Sequence, residues 1–91
     1  MKSRVHVIIS GRVQGVWFRA NTRDKAKQLG LKGWVKNTPE GSVEAVFEGE
    51  EKLIHEMLDW CHHGPPMAEV ENVEIKKQRS SNDFDDFSIK Y

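Results

Sequence analysis

Two periodicities alternate along this chain, and their order restricts its fold more than any other feature. Residues 4–10 alternate by twos, with Val5, Val7 and Ile9 on one face and Arg4, His6 and Ser10 on the other. That is the mark of a half-buried strand. Gly11 ends it, and a loop runs through Gly15. From Phe18 the apolar positions recur at helical spacing, as Phe18, Ala26 and Leu29 with Thr22 between them, and Gly30 stands where a left-handed helix stop belongs. Residues 33–38 return to strand character, and Pro39-Glu40-Gly41 reads as a turn. Val43, Ala45 and Phe47 then alternate with Glu44, Val46 and Glu48, a third strand and hairpin partner of the second. A second helical stripe, Leu53/Ile54, Met57/Leu58 and Trp60/Cys61, follows Gly49-Glu50-Glu51. Its acidic start suits the helix dipole, and Gly64-Pro65-Pro66 stops it. A fourth strand covers about 68–77, where Val70 and Val73 break the alternation and predict a bulge or a late start. After the polar stretch Arg79-Ser80-Ser81-Asn82-Asp83, Phe87, Ile89 and Tyr91 alternate in a short closing strand.

The order β-α-β-β-α-β is the split βαβ arrangement of ferredoxin-like folds. It predicts an α+β sandwich, an antiparallel sheet with two helices packed on one face. The 91 residues suit one domain spanning 1–91, with a modest core. The topology also has a geometric consequence. If the first helix returns the chain, the first two strands run the same way and end at the same end of the sheet. The loop 11–19 leaves the first strand there, and Asn37 arrives there on the second, so Arg19 and Asn37 converge.

Fourteen basic and 14 acidic residues cancel. That argues against a dedicated nucleic-acid binder, which carries a basic surplus on one face, but it permits one locally basic pocket. A single cysteine, Cys61, allows no intramolecular disulfide and fits a reducing compartment. The N-terminus lacks the apolar run of a signal peptide, and no stretch approaches the roughly 20 apolar residues of a membrane span. A cytoplasmic protein with no membrane partner is the expectation.

The segment Gly11-Arg12-Val13-Gln14-Gly15-Val16-Trp17-Phe18-Arg19 joins a strand to a helix N-terminus. Such a junction presents unpaired backbone N–H groups to an anion, with help from the helix dipole. Two glycines let the backbone curl closely, and Arg19 offers a planar fork of donors matched to phosphate oxygens. No Gly-Lys-Ser/Thr follows, so this is not a Walker motif. Taken alone, a glycine loop with one arginine is an ordinary connector as readily as an anion site.

Two longer blocks shift that balance. Val13-Gln14-Gly15-Val16-Trp17-Phe18-Arg19 resembles the first signature of the acylphosphatase family. Gly33-Trp34-Val35-Lys36-Asn37-Thr38-Pro39-Glu40-Gly41-Ser42-Val43 resembles the second, with Gly49 where its final glycine falls. Leu29-Gly30-Leu31, Trp60-Cys61, Gly64-Pro65-Pro66 and the ending Phe87-Ser88-Ile89-Lys90-Tyr91 are similar as well, so the resemblance covers nearly the whole chain. It implies the same ferredoxin-like sandwich and an enzyme that hydrolyses the carboxyl–phosphate bond of acyl phosphates, with no cofactor and no metal. It implies that Arg19 binds the phosphate, that Asn37 positions the attacking water, and that the amides of Gln14, Gly15, Val16, Trp17, Phe18 and Arg19 form the phosphate-binding loop. The implied partners are a small-molecule acyl phosphate and inorganic phosphate, the latter as product and competitor. No nucleic acid is expected, and the protein is expected to be a monomer. Lys90 stands where relatives often carry arginine, so the resemblance assigns it no role.

The chemistry explains why so few residues suffice. A carboxylate leaving group, whose conjugate acid has a pKa of about 4, departs without a general acid. Phosphoryl transfer then depends on positioning and charge stabilisation. A non-catalytic phosphate-binding module is the second reading, and an RNA-binding module of this topology a distant third. Cys61, His62 and His63 invite a metal reading with His55, but neighbours on a helix point in different directions and do not converge. Cys61 reads as a buried apolar residue and His6 as structural. Among the aromatic residues, Phe47 belongs to the core face, and Trp17 is the tryptophan expected to border the pocket. Glu44, Glu48, Asp83, Asp85 and Asp86 read as solvated charge.

Overall fold

Val5, Val7 and Ile9 turn inward together, as their alternation requires, on a strand β1 (Lys2–Arg12) longer than the pattern marks. The computed structural model describes residues 2–90, so the expected strand position Tyr91 lies outside the described residues. After β1 come α1 (Phe18–Gln28), β2 (Lys32–Asn37), β3 (Val43–Glu50), α2 (Glu51–Cys61), β4 (Glu69–Gln78) and β5 (Phe87–Ile89). The sheet order is β4-β1-β3-β2-β5. β3 lies between β1 and β2 and is antiparallel to both, so β1 and β2 run the same way and finish at the same end.

β5 departs from the antiparallel pattern. It pairs with β2 in parallel, Gly33 opposite Phe87 and Val35 opposite Ile89. The connection 79–86 carries the chain from the β4 edge past one end of the sheet to the far edge, and β5 then runs alongside β2. The expected bulge is present. Pairing steps from Ser10 opposite Asn72 to Gly11 opposite Val70, which leaves Glu71 without a counterpart. A Cβ on Gly11 would collide with the Glu69 carbonyl at this step, so the bulge requires glycine there.

Both helices cover one face, α1 against β2 and β5, α2 against β1 and β3. The α1 stripe buries Phe18, Thr22 and Ala26. Gly30 stops the helix at φ 73°, and the Leu31 N–H donates to the Ala26 carbonyl at 2.9 Å, a Schellman closure. On α2 the buried residues are Ile54, Met57, Leu58 and Cys61, with Leu53 and Trp60 at the margin. Burial pushes the Cys61 thiol up to about 12, so it remains a neutral apolar filler. Phe47 stacks on Phe87 at 5.5 Å, and Phe18 meets Trp60 edge-on at 5.4 Å, which ties the helix layer together. No helix among the described residues is long and apolar enough to cross a membrane.

The opposite sheet face is polar and internally paired. His6 contacts Glu44 at 2.7 Å, and Lys36 reaches the same carboxylate at 3.7 Å. The ammonium groups of Lys36 and Lys90 lie over the Trp34 ring, 5.5 and 4.6 Å from its centre. One acidic residue corrects the sequence reading. Glu48 is 4% exposed, not solvated, because the turn 80–82 folds over it.

Candidate active site

The loop that leaves β1 curls through two residues at positive φ, Gly15 at 73° and Trp17 at 66°. A Cβ on Gly15 would meet nothing within 4 Å, so glycine serves the backbone conformation there and not a close approach. Trp17 is the N-cap of α1 and makes no side-chain cap. The Asn21 N–H donates to the Trp17 carbonyl at 3.1 Å, the first bond of the helix. The amides of Phe18 and Ala20 precede it and have no acceptor within the helix. No acidic residue occupies the first turn, while Lys25 and Lys27 neutralise the last. The positive end of the dipole therefore faces the loop without an internal counter-charge from the helix.

Two clamps hold this loop against the β2–β3 hairpin. The Gln14 carboxamide Nε2 donates to the carbonyls of Thr38 and Ser42, both at 2.8 Å. Val16 is buried and pins the other side of the loop in the core. The hairpin is stiffened in turn, since the Thr38 N–H donates to the Ser42 carbonyl at 2.9 Å and the Ser42 N–H to Thr38 Oγ1 at 3.1 Å. Asn37 precedes this turn and is fixed by its pairing with Val43.

The result is a cleft of about 340 Å³ at the shared end of β1 and β2. Gly15, Trp17, Phe18 and Arg19 form one side, Asn37 and Ile89 stand on the neighbouring strands, and Val13 and Ala20 complete the wall. Arg19 is half-buried. The Asn37 carbonyl oxygen Oδ1 is buried and has no hydrogen-bond partner among the described residues. It shares that condition with the Thr22 hydroxyl, which lies on the core side of α1. A buried acceptor without a donor is costly unless something from outside completes it.

Of the loop residues singled out by sequence, Gly15, Trp17, Phe18 and Arg19 reach the cleft wall with Asn37. Gln14 and Val16 instead hold the loop in place, Gln14 through its side chain and Val16 through burial. The sequence reading missed the Gln14 clamp and the part played by Thr38 and Ser42. It also missed Ile89, whose place depends on the parallel docking of β5. Lys90 is not among the wall residues, and its ammonium lies over Trp34 on the other face. Among the described residues no cluster of His, Cys, Asp or Glu converges in a way that could hold a metal ion.

The far end of the sheet holds a second arrangement of donors around negative charge. Glu48 Oε2 accepts from the Ser81 N–H at 2.8 Å, the Ser80 hydroxyl at 3.1 Å and the Asn82 N–H at 3.4 Å. Burial by itself would raise the Glu48 carboxyl, but these donors and the charge of Arg4 outweigh it and hold it below the usual carboxylate range.

Comparison with known proteins gives a consistent result. The profile of the acylphosphatase family matches residues 5–89. An acylphosphatase from Pelotomaculum thermopropionicum is 46% identical over 90 residues, which covers 99% of this chain and 98% of the relative. The crystal structure of acylphosphatase from Bacillus subtilis superimposes with a TM-score of 0.94 at 35% identity, covering 100% of both chains. An acylphosphatase structure from Coxiella burnetii gives 0.93 at 43% identity, covering 98% of this chain and 93% of that one.

Proposed function

The chain belongs to the acylphosphatase family and is an enzyme of that type, and we propose that its cleft works through Arg19, the amides of the 14–19 loop and Asn37. The substrate phosphoryl group sits at the open N-terminus of α1, with the Arg19 fork on its oxygens. Asn37 Oδ1 accepts a hydrogen bond from a water and directs its lone pair at phosphorus. As the water oxygen bonds to phosphorus, the bond from phosphorus to the acyl oxygen breaks, and its electron pair leaves with the carboxylate. The water's proton passes to a phosphoryl oxygen, so the products are a carboxylate and inorganic phosphate. Asparagine is no base at neutral pH, and none is needed when the substrate itself accepts the proton. The donors and the arginine are aimed before the reaction begins, which is where such sites gain most of their rate.

The observation that carries this reading is Asn37, which lines the same cleft as Arg19 and the uncapped helix and whose buried carbonyl oxygen has no hydrogen-bond partner among the described residues. A module that merely held phosphate would use the cationic and amide donors, but a buried acceptor there would face the anion's own oxygens unfavourably. An acceptor suits a water. The protein acts as a single unit over 1–91, as a cytoplasmic monomer, and the buried thiol of Cys61 fits a reducing compartment.

Hydrolysis of benzoyl phosphate and acetyl phosphate in the presence of a chelator tests the proposal. Turnover persists because the leaving carboxylate requires no Lewis acid, and inorganic phosphate competes with substrate. Failure to hydrolyse either compound overturns the activity. Loss on chelation with rescue by one metal overturns the metal-free route, and indifference to phosphate overturns the cradle.

A further inference from the structure

Trp17 combines properties that core packing does not explain. It is 77% exposed, whereas its neighbours Val16 and Phe18 are buried and already anchor the loop. Its backbone is left-handed, at φ 66° and ψ 19°, a conformation that a bulky side chain adopts only against a steric penalty. Asn21 holds it there, since its N–H and its side-chain Nδ2 both donate to the Trp17 carbonyl, at 3.1 and 2.8 Å. Trp17, so held, lines the cleft that contains Arg19 and Asn37.

We infer that Trp17 sets acyl-group specificity: its indole is a seat for a flat apolar acyl group, so the enzyme prefers aryl acyl phosphates to small ones such as acetyl phosphate. The inference rests on the acyl-phosphate reading of the cleft and adds the class of acyl group. Arg19 and the amides account for the phosphoryl half of the substrate and leave the other half without a partner. In-line displacement places the leaving acyl group across phosphorus from the attacking water, so its surface must come from residues other than Asn37. Phe18 and Val13 are each 1% exposed and have no surface to give. Among the described wall residues, Trp17 is the one large apolar side chain with most of its area open to solvent. A phenyl ring laid on it removes apolar area from water on both partners and adds an aromatic contact, while an acetyl methyl covers little.

The test is the ratio of kcat/KM for benzoyl phosphate to that for acetyl phosphate, in the wild type, Trp17→Ala and Trp17→Phe. Any loss shared by both substrates, from altered loop amides or a partly unfolded sample, cancels in this ratio. The alanine variant should lower it about tenfold, equivalent to about 1.4 kcal/mol, and the phenylalanine variant should restore most of it. Inhibition by benzylphosphonate should weaken in the alanine variant by a similar factor relative to methylphosphonate. A ratio that stays the same in Trp17→Ala overturns the inference while leaving the activity standing. A wild type that hydrolyses neither compound overturns the acyl-phosphate reading itself, and this inference with it.

Discussion

The two ends of this sheet meet negative charge in opposite ways. At one end Glu48 is wrapped by the 80–82 turn, and Arg4 beside it is itself held by Gln78 at 3.0 Å, Ser81 at 2.8 Å and Asp83 at 3.0 Å. At the other end the loop amides, the helix N-terminus and Arg19 surround a cleft in which no Asp or Glu lines the wall among the described residues. The ingredients are the same at both ends, namely backbone N–H groups, an arginine and a tight turn. At the Glu48 end the protein supplies its own anion, and the donors there stabilise the fold. At the cleft end a left-handed Trp17 and an Asn37 oxygen without a partner among the described residues are tolerated, as expected where strain and unmet polarity serve a ligand.

The sharpest way to break this contrast is to remove the cation at the cleft end. Arg19→Gln should lower turnover by roughly 10³-fold or more and weaken phosphate inhibition with it, because the fork serves ground state and transition state alike. Arg19→Lys should recover little, since a point charge does not reproduce the planar fork. A lysine variant with near wild-type turnover would reduce the site to simple charge attraction. Asn37→Ala should cost less, roughly 10²-fold in turnover, with the phosphate inhibition constant nearly unchanged and the circular dichroism spectrum intact. If phosphate affinity falls in step with rate, Asn37 holds the anion and not the water.

How far these ends could be read from sequence differs for physical reasons. Local periodicity fixed the strands, the helices and the bulge, because alternation and helical stripes are encoded in neighbouring residues. The shared end of β1 and β2 followed from topology, and with it the meeting of Arg19 and Asn37. The docking of β5 did not follow, because Phe87-Ser88-Ile89 carries no local signal for which edge it joins, and so Ile89 went unplaced in the cleft. Glu48 was misread because its alternation puts it on the open face of the sheet, and its burial comes from a turn more than 30 residues later in the chain. Gln14 was read for its amide, whereas its side chain crosses to Thr38 and Ser42, a contact that exists only once the hairpin is in place.

The filled end should answer in stability and not in rate. Glu48→Gln should destabilise the protein by about 1–3 kcal/mol at neutral pH, the range for hydrogen bonds to a charged acceptor, with kcat/KM for acetyl phosphate unchanged. The sign of its pH dependence follows from the lowered carboxyl. The folded state favours the ionised form, so the stabilisation is complete above the unfolded value of about 4.3 and is lost as pH falls through the lower folded value. Urea midpoints of wild type and variant should therefore begin to converge as pH falls below about 4.3 and meet only below the folded value. A gap that stays constant into acid would mean that Glu48 contributes shape and not charge.

The smallest effect has the opposite sign and bears on the strain at the cleft end. Trp17→Gly replaces a bulky residue in the left-handed region with the residue that occupies it freely. Relief of about 1–2 kcal/mol is offset by about 0.5–1 kcal/mol for the extra freedom of glycine in the unfolded chain, which leaves a gain of up to about 1.5 kcal/mol. Little burial is forfeited, because the indole is 77% exposed. For a domain of this size each kcal/mol of that gain amounts to a rise of roughly 4–8 °C in Tm. The same variant removes the apolar seat, so its benzoyl-to-acetyl ratio of kcat/KM should fall as in Trp17→Ala. A more stable protein with poorer acyl discrimination is what a conformation held for ligand contact predicts. A Tm that drops by several degrees would show that Trp17 supports the fold where it stands, and the two ends of the sheet would then differ only in which anion they hold.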